Sequence, residues 1–334
     1  MRVIAVAHDP GGANAVAATV LALRERGVQV EALAKGPAVR QFQRMGVACV
    51  PVPADHGAAL ERLEGDLLLM GTSAEDRFEL DALMGAQQRQ IPAVAVMDYW
   101  ANYRKRFCRP EDAGRPPRLP EVITALDEGA ARAMQAEGLP RERIRVMGQP
   151  YFGWLLERAK RGQRPRTPVR HVLFASQPDA NEVEILRQLI PSLRALPALE
   201  QLLVRFHPRQ VNREASLALL EPSGLPFAID EQEDVLQTLQ QQDRVLGITS
   251  VILIEAAMMG VPAASLVIGV EDTLETNAWG LTRRIDRIEQ LPDFLAGAGG
   301  GVDLTQVEAH RASHAGLAEF CHEGLRTGLI SAAV

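Results

Sequence analysis

The sequence predicts an α/β protein of two domains, each a parallel sheet covered by helices. Three observations carry that expectation. Short apolar runs alternate with helical patterns along the chain, as parallel sheets with covering helices require. The alternation restarts at His171-Val172-Leu173-Phe174-Ala175, after the Pro- and Arg-rich stretch from Gly162 to Pro168. A length of 334 residues is enough for two domains that each bury a core.

In the first half the expected strands are Val3–Ala7, Val28–Leu33, Ala48–Val52, Leu67–Met70, Ala93–Met97, Val122–Ala125 and Ile144–Met147. Between them the apolar periodicity predicts helices such as Ala15–Arg26, Ala38–Met45, Phe78–Arg89 and Glu128–Glu137. A helix from Tyr151 to Arg161 leads into the linker. The second series of strands is His171–Ala175, Leu202–Phe206, Phe227–Ile229, Arg244–Ile248 and Ala263–Val267. A helical stretch, roughly Leu304 to Leu325, follows the flexible Gly297–Gly301 run. The domain expectation is therefore 1–150, a linker over 151–168, a second domain over 169–302, and a terminal helical segment over 303–334.

Composition narrows the function classes. A formal net charge of -6 argues against general nucleic-acid binding, which wants a basic face. The cysteines, Cys49, Cys108 and Cys321, lie far apart without metal or redox spacing. The chain opens directly into a strand, and its longest apolar run, Val251 to Leu266, is broken by Glu255, Gly260 and Pro262. A cytoplasmic protein is expected, with peripheral contact to a membrane surface left open.

The strongest motif is Thr249-Ser250 followed by Ile254-Glu255-Ala256-Ala257-Met258-Met259-Gly260-Val261-Pro262. It reads as a strand, a hydroxyl pair at a helix N-cap, a short helix and a Gly-x-Pro exit. Free backbone N–H groups at such a helix start bind anions. Glu255, a turn and a half further on, is placed to hold a hydroxylated group beside a phosphate. Upstream, the strand ending at Phe206 runs into His207-Pro208-Arg209. Residues at the carboxyl end of a parallel strand face the ligand crevice, and His and Arg both donate hydrogen bonds to phosphate. A purely structural reading of each motif alone, as a capped crossover helix and a turn, stays open.

Taken together, these residues resemble glycosyltransferases of the GT-B architecture: two Rossmann-like domains with parallel sheets facing across a cleft. Many of them carry a Glu-Ala-x-x-x-Gly-x-Pro segment, matched here by Glu255, Ala256, Gly260 and Pro262. The resemblance implies that Glu255 binds the ribose hydroxyls of a sugar nucleotide. The His-Pro motif with a Ser/Thr pair is similar to the phosphate site of bacterial sialyltransferases, Kdo transferases and polyglycerolphosphate-type transferases. By that likeness His207, Thr249 and Ser250 contact the donor phosphate, and Arg209, from its place at the strand end, is counted with them as a donor contact. Ser176 and Gln177, after the first strand of the second domain, are added as donor contacts. The resemblance also implies a terminal helix that crosses back to the first domain.

The first domain supplies the other candidates. His8-Asp9-Pro10-Gly11-Gly12-Ala13-Asn14 joins the first strand to the first helix, without the spacing of a dinucleotide fingerprint. Gly11 and Gly12 let backbone approach a ligand, Asn14 is a candidate helix cap, all three are candidate acceptor contacts, and His8 or Asp9 is a candidate base. The alternative is a tight turn and nothing more. Asp98, after the fifth strand, is a further candidate base. Tyr99, Asn102 and Tyr103 beside it are candidate acceptor contacts. Arg104-Lys105-Arg106 with Arg109 suits a phosphate, an anionic sugar, an anionic membrane surface, or plain solvent. Gly71-Thr72-Ser73, Glu75, Gln149, Glu271-Asp272-Thr273 and Glu275-Thr276-Asn277 are weaker candidates, and Asp230 to Asp234 reads as a solvated helix start.

The expected function is transfer of a sugar from a CMP-, CDP- or UDP-activated donor to a hydroxyl acceptor, in cell-surface glycan or secondary-metabolite glycosylation. No metal or other cofactor is expected, Mg²⁺ included, because helix N-termini, His and Arg neutralise the leaving phosphate. The alternatives are a nucleotide-sugar 2-epimerase or hydrolase on the same scaffold, a polyglycerolphosphate-type phosphotransferase, and a non-catalytic nucleotide-binding protein.

Overall fold

The computed structural model describes residues 1–108, 117–158, 167–297 and 305–331. Two compact units emerge: Met1–Glu157 together with Ala309–Val334, and Arg158–Glu308.

In the first unit, seven strands form one sheet in the order β3-β2-β1-β4-β5-β6-β7. These are β1 (Arg2–Ala7), β2 (Gln29–Lys35), β3 (Val50–Val52), β4 (Leu67–Met70), β5 (Ala93–Ala95), β6 (Val122–Ala125) and β7 (Ile144–Val146). All pairings are parallel, with Val3 set between Val30 and Leu67. Leu67-Leu68-Leu69-Met70 is buried throughout, as a central strand covered on both faces must be. Strand order reverses between β1 and β4, and the crevice at such a switch point is where α/β sheets hold ligands.

The second unit repeats the plan with six strands in the order β10-β9-β8-β11-β12-β13. They are β8 (His171–Ala175), β9 (Gln201–Arg205), β10 (Phe227–Ile229), β11 (Arg244–Gly247), β12 (Ala263–Leu266) and β13 (Arg283–Ile285), all parallel. Its switch point falls between β8 and β11. On one face of this sheet Val172, Phe174, Leu202, Val204 and Leu246 pack against Leu186, Leu189 and Leu193 of the Glu182–Arg194 helix.

Four differences from the sequence expectation have physical causes. The first helix spans Pro10–Glu25 and starts five residues before the expected Ala15, because Asp9 is extended and Pro10 enters the first turn with φ already suited to it. The loop expected over His8–Asn14 is therefore mostly helix. Strand β13 escaped detection because Arg283-Arg284-Ile285 is a polar edge strand with only Ile285 buried. The terminal helical stretch divides into Thr305–Glu308 and Ser313–Thr327, and the longer piece packs on the Pro10–Glu25 helix. Finally, Pro150–Arg158 is a helix of the first unit, within the stretch expected to be linker. Its Gly153 lies so close to the His310 and Arg311 carbonyls that a Cβ there would sit 2.6 and 2.8 Å from them. Among the described residues no helix is long and apolar enough to cross a membrane.

Candidate functional site

The first unit gathers its polar residues at the ends of β1, β4 and β5, around the switch point. The start of the Pro10–Glu25 helix is pressed against the turn after β4: a Cβ on Gly12 would lie 3.2 Å from the Thr72 amide nitrogen. One on Gly11 would lie 1.9 Å from Asp98 Oδ2, so the Asp98 carboxylate rests directly on the first turn of that helix. Gly11 is thus required by the placement of Asp98, and Gly12 by helix-to-turn packing.

His8 Nδ1 lies 2.8 Å from Asp9 Oδ1, and its Nε2 lies 3.4 Å from Asp76 Oδ2. The Asp9 hydrogen bond, opposed by burial and helped by the charges of Asp76, Glu79 and Asp9, raises the His8 pKa above the ordinary imidazole value. Both His8 nitrogens therefore face carboxylates, which favours its protonated form over the free base. Burial pushes the Asp9 carboxyl up, but hydrogen bonds from His8 and Ser73 and the charges of His8 and Arg106 outweigh it. Asp9 is held ionised and keeps 34% of its side-chain surface. Lys35 Nζ grips Asp76 at 2.9 Å, closing the charge chain Lys35–Asp76–His8–Asp9.

Arg106 was expected in a solvent-facing or ligand-facing basic run. It is buried instead, donating to Thr72 O, Thr72 Oγ1 and Asp98 Oδ1 at 3.0, 2.8 and 2.5 Å. Lys105 pairs outward with Glu75 at 2.7 Å, which removes Glu75 from the site. Arg109 lies outside the described residues. Gln149, a weaker candidate, donates from Nε2 to the Asp98 carbonyl at 3.3 Å and is itself fixed by His310 and Ser313.

The expected acceptor contacts fare unevenly. Tyr103 is only 3% exposed and belongs to the hydrophobic core of the first unit. Asn14 neither caps the helix nor faces solvent; its Oδ1 accepts from Arg44, which also donates to Tyr151. Tyr99 packs edge-on against Trp100, whose indole N–H donates to Asp127 at 2.6 Å. Asn102 remains exposed, in the left-handed region at φ 59°.

In the second unit the candidates come from the neighbouring strands β9, β8 and β11. Gln177 and Thr249 clasp each other across the switch point: Thr249 N donates to Gln177 Oε1 at 2.6 Å, and Gln177 Nε2 donates to Thr249 Oγ1 at 3.2 Å. Gln177 therefore orients Thr249, whose own O–H is left to donate. Ser250 is the N-cap expected of it, accepting from Ile252 N at 3.3 Å at the start of the Val251–Met258 helix. His207 Nδ1 accepts from the Arg209 amide at 3.1 Å, which puts the proton of a neutral ring on Nε2. Burial and then the Arg209 charge lower its pKa, so it offers phosphate a neutral donor. Arg209 itself is exposed.

Ser176 is a correction. It is buried, donates to Glu182 Oε1 at 2.9 Å and accepts from Gln210 Nε2 at 2.7 Å, so it braces the loop and meets no ligand. Glu255 is only 3% exposed, on the second turn of its helix. Asp272 binds Arg284 and Asn277 while Thr276 pairs with Thr282, so the Glu271–Asn277 loop is knit to itself. Asp230 pairs with Arg205 and Asp234 caps a helix, structural roles both.

Sequence reasoning missed Glu79, Lys35, Asp76, Glu182 and Gln210. Their signal was weak: each pairs with a group far along the chain, and only Glu79 and Glu182 stand out as carboxylates among apolar residues opening a helix.

No family model matches the chain, and no curated protein matches it in sequence. Solved structures do. UDP-GlcNAc 2-epimerase from Neisseria meningitidis, bound to UDP-GlcNAc, aligns over 98% of this chain and 100% of its own at TM-score 0.65 and 14% identity. The enzyme of that name from Methanocaldococcus jannaschii aligns over 97% and 100% at TM-score 0.71 and 14% identity. The fold is GT-B-like. A glycotransferase of kitacinnamycin aligns over 96% of this chain and 98% of its own, at TM-score 0.57 and 16% identity. At these identities the likeness is one of fold, and chemistry has to be argued from the side chains.

Proposed function

We propose that the protein binds a nucleotide sugar and changes the sugar itself, as an epimerase or hydrolase, without passing it to a second alcohol. The observation that carries this reading is the cluster on and beside the first turn of the Pro10–Glu25 helix: Asp9, held ionised, His8 set between Asp9 and Asp76, and the Asp98–Arg106 pair over Gly11. Inverting a sugar carbon needs one proton taken from one face and one returned to the other, whereas transfer to an alcohol needs a single base. Of the aromatic residues expected to grip an acceptor, Tyr103 lies in the core and Tyr99 packs edge-on against Trp100.

In this reading the second unit holds the nucleotide. His207 Nε2–H, Thr249 Oγ–H and the positive end of the Val251–Met258 helix dipole face the phosphates, with Arg209 adding charge. Glu255 accepts from ribose hydroxyls. The solved neighbours, mostly UDP-GlcNAc 2-epimerases and two of them with UDP-GlcNAc bound, support a UDP-activated N-acetylhexosamine as the first substrate to try. The glycotransferase neighbour keeps sugar transfer as the second reading.

The test is to incubate the protein with UDP-GlcNAc in D₂O with no acceptor and follow the sugar by NMR. Deuterium entering the sugar ring, an epimeric product, or free sugar with UDP supports the proposal. No change without acceptor, and turnover once a sugar alcohol is added, returns the protein to the transferases. Binding without turnover under any of these conditions leaves a nucleotide-binding protein.

A further inference from the structure

Glu79 has no place in the reaction as drawn, yet its setting is unusual for a carboxylate. It opens the Phe78–Gln88 helix at the second position and is only 2% exposed. Its Oε1 accepts from the backbone N–H of His8 at 2.8 Å. Its Oε2 is buried with no hydrogen-bond partner among the described residues. An ionised carboxylate with one oxygen unpartnered in such a place is costly, and protonation is the usual relief. The charged groups facing it are His8 and Asp9 from the turn after β1, with Asp76 ahead of its own helix and Lys35 at the end of β2 reached through Asp76.

We propose that Glu79 is a positioning residue for the His8–Asp9 pair, holding the turn through the His8 amide and setting the pair's charge by its own state of protonation. The proposal rests on the reading of His8 and Asp9 as the acid–base pair. The arrangement works in both directions. A neutral Glu79 leaves the His8 imidazolium answering to Asp9 and Asp76 alone, while an ionised one adds a third negative charge near the ring. That charge holds the proton on His8 more tightly and disfavours ionisation of Asp9. Burial, offset in part by the amides of Glu79 itself and of His8, pushes the Glu79 carboxyl up to about 7, so both states are populated near neutrality. The first-unit site therefore carries a built-in pH response whose sensor is not one of the reacting groups.

The experiment is an NMR titration of the whole chain from about pH 5 to about pH 9, following the Glu79 carboxyl carbon and the His8 ring. In the native chain the Glu79 carboxyl is expected to titrate near neutrality. In Glu79→Gln, which keeps an oxygen for the His8 amide but cannot ionise, the His8 midpoint is expected to fall by on the order of half a pH unit to one unit. The pH profile of the acceptor-free reaction should lose its inflection near neutrality in the same variant. A Glu79 carboxyl titrating in the ordinary carboxylate range, or a His8 midpoint unchanged by Glu79→Gln, overturns the proposal. Should the variant fail to fold, the carboxyl titration of the native chain decides alone. Shifted titrations in a protein inert toward UDP-GlcNAc would sink the epimerase reading and leave the Glu79 assignment standing.

Discussion

The two units share a topology and differ in the chemistry at their switch points. Both place loops from the central strands beside the point where strand order reverses, β1 and β4 in one, β8 and β11 in the other. In the first unit that place is crowded with full charges in pairs, His8 with Asp9 and Asp76, Arg106 with Asp98, Lys35 with Asp76. In the second it is built mainly of neutral donors: the Thr249 hydroxyl, the Gln177 amide, a deprotonated His207, and the open end of a helix capped by Ser250. Paired charges move protons, and neutral donors cradle an anion without fixing its protonation. One scaffold used twice carries two different sets of polar groups at its switch points.

That contrast is sharpest under substitution. Asp9→Asn removes the base and should lower acceptor-free turnover by roughly 10²- to 10⁴-fold while nucleotide affinity, measured by calorimetry, stays as in the native chain. A matching loss of affinity would mean that the two units do not divide the work. His207→Ala should do the reverse, weakening UDP binding by about ten- to a hundredfold, as loss of a hydrogen bond to a charged group implies, with the melting temperature unchanged. Unchanged affinity would remove the phosphate role.

Gly11→Ala is a finer probe. The new methyl would stand 1.9 Å from Asp98 Oδ2, so the carboxylate must swing away from Arg106. About a tenfold fall in turnover with little change in stability is expected, since alanine suits a helix better than glycine. Full activity would show that Asp98 need not rest on that turn.

The smallest effect concerns pH. The folded-state pKa of Glu79 is raised from 4.5 to about 7, so between those values the folded protein holds a proton that the unfolded chain releases. Stability of the first unit should therefore fall as pH rises through that window. His8, also raised, adds stability below its unfolded value that is lost as pH climbs through its folded one. Melting curves at the two ends of the window should differ by a few degrees, less so in Glu79→Gln. A melting temperature that rises with pH would contradict the assignment.

Much of the fold was legible because buried parallel strands announce themselves as short apolar runs. Leu67–Met70, Val122–Ala125, His171–Ala175 and Phe227–Ile229 are read to the residue, while Arg283–Ile285 is invisible for want of apolar residues. The site was legible where a residue's role follows from its neighbours in the chain. Ser250 caps the helix it precedes, and His207 follows a strand. It failed where a role depends on a distant partner. Tyr103 and Arg106 sit in a run of aromatic and basic residues that looks solvent-facing, and only the fold shows one in the core and the other under Asp98. Glu79 could not have been chosen from among the acids without knowing that its helix points it at the His8 amide.

The first unit is discontinuous: the Ser313–Thr327 helix that packs on Pro10–Glu25 is encoded after the whole of the second unit. A ribosome delivers the chain from its amino end, so the second unit can be complete while the first still waits for its last helix. The half that is made first must therefore finish last. A premature stop near the end of the message would strike the first unit and leave the second whole.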